Sequence, residues 1–275
     1  MADPRLYQIG TLASLLVYGM GWLDFDITAG RVALQLGTVL AAQWVGDRVA
    51  RVAQPFSLSA RSALISGLSL CLLLRTSRAE LAVAAAVVAI ASKFLIRIGG
   101  KHVFNPTDGG IVAMLVLTNQ VWVSPGQWGA AATFAFLMAC AGSLVVTRAA
   151  RSDVTCAFAF FYCALLFGRS MSLGEPLTIP LHRLQSGALL LFTFFMISDP
   201  KTTPDSRAGR VLFAALVAFG AWYVQFRLFR TNGLLWSLAA CSTLVPLIDR
   251  LAPGARYAWA ARRTSRSPIP ALRVA

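Results

Sequence analysis

The chain has 275 residues, of which 57% are apolar and 13% are charged, and its mean hydropathy is +0.67. A soluble domain of this size needs far more polar surface around its core, and disordered or collagen-like chains have a different composition. The net charge is +14. The basic residues lie at the ends of apolar runs, where cytoplasmic flanks and lipid headgroups select them, so they argue against a nucleic-acid partner and for a lipid bilayer.

Apolar runs of helical length recur along the whole chain. A bilayer core requires about 20 mostly apolar residues in a helix. The sequence predicts ten membrane segments, at 6–23, 32–46, 60–74, 80–97, 107–119, 127–147, 153–168, 183–198, 208–226 and 231–248. The fifth is short and adjoins Pro and Gly, which is typical of a half-helix or a broken helix. The predicted fold class is an all-α polytopic membrane protein, with one membrane domain over 1–253 and a basic cytoplasmic tail over 254–275.

The distribution of Lys and Arg predicts the orientation. With ten segments both termini lie on one side of the membrane, and that side has seventeen basic residues against seven on the other. Cytoplasmic loops carry the excess of Lys and Arg, so both termini are predicted to be cytoplasmic. The N-terminus, MADPRLYQIG, lacks the charged region and cleavage site of a signal peptide. We therefore expect a multi-pass protein of the cell inner (plasma) membrane that retains its first segment.

Two similar junctions indicate an internal repeat. GGKHVFNPTDGG (99–110) and FFMISDPKTTPDSRAGR (194–210) each follow an apolar helix and precede another apolar segment. Asn105-Pro106 and Asp199-Pro200 occupy matching places in the two junctions. Each half contains five predicted segments. Because five is an odd number, the two halves would insert into the membrane with opposite topology. The sequence predicts two inverted five-helix repeats, at about 6–119 and about 127–248.

The two Pro junctions are the strongest local signals for a binding site. Pro disfavours a helix in the residue before it and removes a backbone donor, and at membrane depth the freed groups need protein or water partners. A helix starting after Asn105 or Asp199 would also be N-capped by that side chain. The alternative is a pair of simple capped turns at the membrane surface. The candidate cofactor-binding residues are Lys93, Lys101, Asn105, Thr107, Asp108, Asp199, Lys201, Thr202 and Thr203.

Lys93 falls within the predicted segment 80–97, inside its cytoplasmic end. Lys93, Arg97 and Lys101 are spaced so that they share a helix face. Lys93 either snorkels to the membrane interface or is buried, where it pairs with Asp108 or Asp199 or holds an anionic group of a ligand.

Other common chemistries lack their sequence patterns. The five Cys residues lie in apolar runs without a CxxC pair, and there are two His residues, so a zinc site or an iron–sulfur cluster is not expected. No Walker A, GxGxxG or HExxH pattern occurs, and Ser124 has no GxSxG context. We predict neither a metal site nor catalytic residues.

Phe104-Asn105-Pro106 and Asp199-Pro200 resemble two elements of the membrane family that includes the NqrB and RnfD subunits of sodium-translocating NADH:quinone reductase and the Rnf complex. Order, spacing and the plan of ten segments agree over about residues 30–250. The resemblance implies a fold similar to that of urea transporters. It also implies flavin-based electron transfer coupled to ion transport, with other membrane or redox subunits as partners.

The chain departs from that family where FMN is esterified to a Thr. Gly129-Ala130-Ala131-Ala132-Thr133 lacks the Ser and the acidic residue of the attachment motif. Covalent FMN is therefore not expected, and the resemblance implies riboflavin, FMN or quinone bound non-covalently by a non-autonomous subunit of a membrane oxidoreductase. Two alternatives stay open: a transporter or channel without redox chemistry, and an assembly subunit. Flavin bands in a visible spectrum would favour the redox subunit.

Overall fold

The computed structural model describes residues 3–124 and 132–257, which form helices and four very short strands. The first half comprises α1 (Pro4–Trp22), α2 (Ala29–Val49), α3 (Phe56–Leu73), β1 (Leu74–Arg75), α4 (Ala79–Leu95), β2 (Arg97–Ile98), β3 (Lys101–His102), α5 (Pro106–Leu117) and β4 (Trp122–Val123). The second half comprises α6 (Ala132–Arg148), α7 (Ser152–Leu173), α8 (Thr178–Leu184), α9 (Gly187–Leu191), a π-helical turn (Phe192–Met196), α10 (Arg207–Phe226), α11 (Gly233–Ser242) and α12 (Val245–Leu251).

The predicted helical class is confirmed, and a helix lies at each of the ten predicted positions. Two of these positions are broken: 183–198 is divided among α8, α9 and the π-helical turn, and 231–248 between α11 and α12. By length and hydropathy, α3, α7 and α10 can each cross a membrane, and α11 with α12, bent by 50°, can form a fourth crossing. The predicted basic tail lies outside the described residues from position 258 onward.

Side-chain caps explain where α5 and α10 begin. Asn105 is the N-cap of α5, as predicted: its Oδ1 accepts hydrogen bonds from the backbone N–H groups of Thr107 at 3.0 Å and Asp108 at 3.2 Å. The predicted cap at Asp199 is wrong, because α10 begins after Ser206, whose Oγ accepts from Gly209 N. Pro204 disfavours a helical conformation at the residue before it, Thr203, so the helix begins only after Pro204.

The end of α4 also differs from the expectation. α4 ends at Leu95, and β2 and β3 form an antiparallel hairpin in which Arg97 pairs with His102. Gly99 and Gly100 form the turn with φ of +58° and +80°, a conformation that favours glycine. The predicted common helix face of Lys93, Arg97 and Lys101 is therefore wrong.

Small residues bring α4 and α5 close together. A Cβ added to Gly110 would lie 2.8 Å from the carbonyl oxygen of Ala85 and 2.8 Å from the Cβ of Ala89. Both alanines are fully buried, and so is Ile111 of α5. This contact holds the first turn of α5, with Asn105 and Thr107, in the interior of the bundle.

Candidate functional site

The two Pro junctions lie in contact. Asn105 Nδ2 donates to the carbonyl oxygen of Met196 at 3.3 Å and to Asp199 Oδ2 at 3.4 Å. Asp199 Oδ1 accepts from the backbone N–H of Lys201 at 3.0 Å, which closes a tight turn. Two breaks that are 94 residues apart in the sequence thus share hydrogen bonds inside the bundle.

A cavity of about 60 Å³, here called the polar cavity, lies beside this contact. It has room for a few water molecules. Its charged and polar lining includes Arg5, Ser62, Ser66, Lys93, His102, Asn105, Thr107, Asp199 and Lys201. Five of the nine predicted binding residues therefore meet at one cavity: Lys93, Asn105, Thr107, Asp199 and Lys201.

Lys93 is buried, with 5% of its surface exposed, so it does not snorkel. Its Nζ donates to Gln43 Oε1 at 3.4 Å and to Ser62 Oγ at 3.3 Å. Gln43 Nε2 in turn donates to Asp47 Oδ1 at 2.9 Å. In the described ranges no carboxylate lies within 4.0 Å of the Lys93 ammonium, so the expected direct pair with Asp108 or Asp199 is not formed.

Lys101 lies outside the polar cavity. Its Nζ forms ion pairs with Asp205 at 2.9 Å and with Asp249 at 2.8 Å. The backbone N–H of Asp205 also donates to Asp249 Oδ1 at 2.8 Å. Lys101 thus ties the hairpin of the first half to α12 at the end of the second.

Asp108, Thr202 and Thr203 are the other predicted residues that do not line the polar cavity. Thr203 Oγ1 accepts a hydrogen bond from Arg151 Nε at 3.2 Å and donates one to the carbonyl oxygen of Asp199. Thr203 thus stabilises the turn that follows Asp199 without lining the cavity. Thr202 donates to the same carbonyl oxygen at 3.4 Å. Asp108 is fully buried, and neither carboxylate oxygen has a hydrogen-bond partner among the residues that the structure describes.

His102 lines the polar cavity and was not among the predicted residues. Burial, together with the positive charges of Lys93 and Arg97, lowers the pKa of His102 to about 4. The imidazole is therefore neutral at physiological pH.

The serines of α3 were also not singled out. Ser59, Ser62, Ser66 and Ser69 recur at helical spacing in a largely apolar segment. Ser62, Ser66 and Ser69 line the polar cavity. This polar stripe is the signal that could have identified them.

A second cavity, here called the amphipathic pocket, has a volume of about 350 Å³. Its polar lining includes Tyr162, His182, Arg183, Ser186, Gln225 and Asn232, and its apolar lining includes Leu73, Leu189, Phe192, Met196 and Leu235. Met196 lines both cavities, so the two lie close to each other. The residues of the pocket come from distant segments without a motif, which is why the sequence did not indicate it.

Comparison with known proteins finds a family model and several relatives that each match part of this chain. The profile of the NQR2, RnfD, RnfE family matches residues 116–257, which is more than half of the chain. The RnfD protein of the ion-translocating oxidoreductase complex of Tolumonas auensis is 35% identical over 79 residues, 29% of this chain and 23% of the relative. The protein of the same name from Pectobacterium carotovorum is 32% identical over 92 residues, 32% of this chain and 26% of the relative. The alignments therefore span about a quarter of the length of these relatives.

Proposed function

Because the chain belongs to the NQR2, RnfD, RnfE family, we propose that it is a membrane subunit of an ion-translocating oxidoreductase, working with other membrane or redox subunits. The family match over 116–257 carries this proposal. The names of the relatives and the apolar helices support it. The basic residues favour the bacterial inner membrane with both termini in the cytoplasm.

The proposal includes ten membrane segments in two inverted repeats. Helices at all ten predicted positions support it, as does the contact between Asn105 and Asp199 at matching junctions. In transporters built from inverted repeats, paired broken helices meet near the bilayer midplane and form the substrate and ion sites. In this chain the pair that corresponds to such broken helices is α5 and the segment formed by α9 and the π-helical turn. Each of the two is too short to cross a membrane alone.

For the redox cofactor we propose the amphipathic pocket instead of the polar cavity. A flavin or quinone ring needs more room than about 60 Å³, and small-molecule pockets usually have about 300–1,000 Å³. The amphipathic pocket, at about 350 Å³, has apolar walls for a planar ring. His182 and Arg183 supply polar groups for a ring oxygen or a phosphate. Non-covalent riboflavin, FMN or quinone is the ligand class that this lining fits.

The visible spectrum of the purified protein tests this proposal, and filling the pocket tests the site. We expect flavin bands that dialyse away after denaturation, and no fluorescent band on a denaturing gel under ultraviolet light. Ala188 lines the pocket, and Ala41 is exposed on α2. Ala188→Trp should lower flavin retention at least about tenfold, the equivalent of 1.4 kcal/mol, and Ala41→Trp should retain it. A colourless protein that binds neither added flavin nor quinone would overturn the redox assignment.

A transporter or channel without redox chemistry is the second candidate. The position of Met196 favours it, because a residue shared by the two cavities brings them close together inside the bundle. A colourless protein that carries cations into vesicles would support this candidate over the redox subunit.

A further inference from the structure

Arginine is enriched at one place on the predicted non-cytoplasmic side. Four of the seven basic residues assigned to that side lie in the second half: Arg169, Arg183, Arg227 and Arg230. Segments 169–186 and 227–232, which carry them, contain one acidic residue, Glu175. The positive-inside rule disfavours arginine on this side of a membrane. The excess therefore indicates a local partner that is negatively charged.

A groove between α7 and α10, here called the lateral groove, contains two of these arginines, Arg169 and Arg227. Its volume is about 370 Å³, and its apolar walls include Leu165, Leu173 and Phe226. In the described part of the chain, only α7 and the end of α10 line it. A groove bounded by two neighbouring helices opens sideways, so in a membrane protein it faces lipid.

Both guanidinium groups of the lateral groove have N–H donors to spare. Arg169 Nη1 donates to the two carboxylate oxygens of Glu175, at 2.9 and 2.8 Å, whereas its Nε and Nη2 have no hydrogen-bond partner among the described residues. Arg227 forms no ion pair within the same part of the chain. A phosphate accepts guanidinium N–H groups in pairs and would therefore suit this place.

Aromatic rings hold the two guanidinium groups at the groove. Cζ of Arg169 lies 4.5 Å from the centre of the Phe226 ring, and Cζ of Arg227 lies 5.7 Å from the centre of the Trp222 ring. Phe226 also contacts Arg183, at 4.9 Å, which lines the amphipathic pocket. The lateral groove and the amphipathic pocket are thus neighbours that have different arginines.

Small residues of α7 leave room for a chain beside the arginines. Ala164, Gly168 and Ser172 are exposed, line the groove and are spaced four residues apart, so they share one helix face. A Cβ added to Gly168 would meet no atom within 4 Å. From Ser172 to Ala164 this face extends about 12 Å along the helix. That length suits several methylene groups of an acyl chain.

We propose that the lateral groove binds one anionic phospholipid. Its phosphate accepts hydrogen bonds from Arg169 and Arg227, and one acyl chain lies along Gly168 and Ala164. Arg169 and Glu175 neutralise each other, so Arg227 leaves one positive charge, which the single negative charge of a phosphodiester balances. A zwitterionic headgroup would add a second positive charge near Arg227. The site requires only that the protein lies in a membrane, and it goes beyond the proposed redox function.

The test measures lipid binding to the purified full-length protein in detergent by native mass spectrometry, which identifies bound lipids by their mass. The probes are phosphatidylglycerol and phosphatidylcholine with identical acyl chains, so that they differ only in the headgroup. We expect the wild type to bind phosphatidylglycerol about fivefold more tightly, the effect of one basic residue near an anionic headgroup. Inorganic phosphate should not displace phosphatidylglycerol, because it lacks the acyl chain.

Two glycine variants test the apolar part of the groove. Gly168→Leu places a side chain in open space, so it should fold, and it should lower the affinity for both lipids at least about tenfold. Gly37 is exposed on α2, and a Cβ there also meets no atom within 4 Å. Gly37→Leu is therefore the matched control and should bind both lipids as the wild type does.

Two arginine variants test the charged part. Arg227→Gln should bring the affinity for phosphatidylglycerol to within about twofold of that for phosphatidylcholine. Arg78 is an exposed arginine on the same predicted side of the membrane, outside the groove. Arg78→Gln removes the same charge and should keep the preference of the wild type.

Four results would overturn the proposal. One is a wild type that binds the two lipids equally, and another is a Gly168→Leu variant that binds them as the wild type does. The third is displacement of phosphatidylglycerol by inorganic phosphate, which would make the groove a site for free phosphate. The fourth is a lipid-free dimer that Gly168→Leu disrupts, which would make the groove a surface for helix packing. Flavin content is a separate readout and tests the redox proposal independently.

Discussion

Each Pro junction contains an aspartate, Asp108 in the first and Asp199 in the second, and the surroundings of the two side chains differ. Asp199 accepts hydrogen bonds from Asn105 Nδ2 and from Lys201 N, and it lines the polar cavity together with Lys93. Asp108 is fully buried, and its oxygens lack partners within the described part of the chain. A partnered carboxylate near a buried ammonium compensates charge, whereas an unpartnered one has no hydrogen bond that a substitution could remove.

This difference predicts opposite results for the same substitution. Asp199→Asn should lower the free energy of unfolding by about 3 kcal/mol, because it leaves Lys93 less compensated in a low dielectric. Asp108→Asn removes no hydrogen bond and should change stability by less than about 1 kcal/mol. Chemical unfolding in detergent measures both. Equal losses in the two variants would contradict the distinct role of Asp199.

At the residue scale, the sequence could predict the polar site in part. Asn105 and Asp199 were recognisable because a Pro follows each and forces a break that needs polar partners. Lys101 was misplaced because its ion pairs with Asp205 and Asp249 depend on tertiary contacts over more than 100 residues. The link from Lys93 through Gln43 to Asp47 could not be predicted, since it depends on the rotation of α2 against α4.

At the scale of elements, α5 shows how small residues determine a helix position. α5 has 12 residues and therefore a length of about 18 Å, well below the thickness of a bilayer core. Its apolar surface gains stability through close packing on α4, where Gly110 faces the backbone of Ala85. Hydropathy indicated a short apolar segment at this place, but not which of the adjacent glycines is in contact with α4.

The adjacent glycines provide a matched pair for testing this packing. A Cβ at Gly110 would lie 2.8 Å from a backbone oxygen, whereas at Gly109 the nearest atom, in Phe104, would be 3.4 Å away. Gly110→Ala should lower stability by about 1–3 kcal/mol through overpacking. Gly109→Ala should be neutral or stabilise by up to about 1 kcal/mol, because alanine favours a helix more than glycine does. A harmless Gly110→Ala, measured by thermal unfolding, would contradict the close contact.

At the scale of the whole molecule, strand pairing supports a crossing of the membrane by α5. β1 follows α3, and β4 follows α5, and the two strands pair antiparallel with Leu74 opposite Val123. Arg78 Nη1 also donates to Gln120 Oε1 at 3.2 Å. The chain therefore returns after α5 to the face where α3 ends and α4 begins, although α5 alone is too short to cross a bilayer.

Reporter insertions test this route together with the proposed orientation. Insertions after Ser77 and after Asn119 should report the same, non-cytoplasmic side, because the pairing of β1 with β4 places both loops on one face. A fusion at Ala275 and an insertion after Ala53, between α2 and α3, should report the cytoplasmic side, which carries most of the Lys and Arg. If α5 were a re-entrant loop, Asn119 would report with Ala53 and not with Ser77. That result would leave four crossings in the first half, an even number, and the inverted relation between the two halves would then fail.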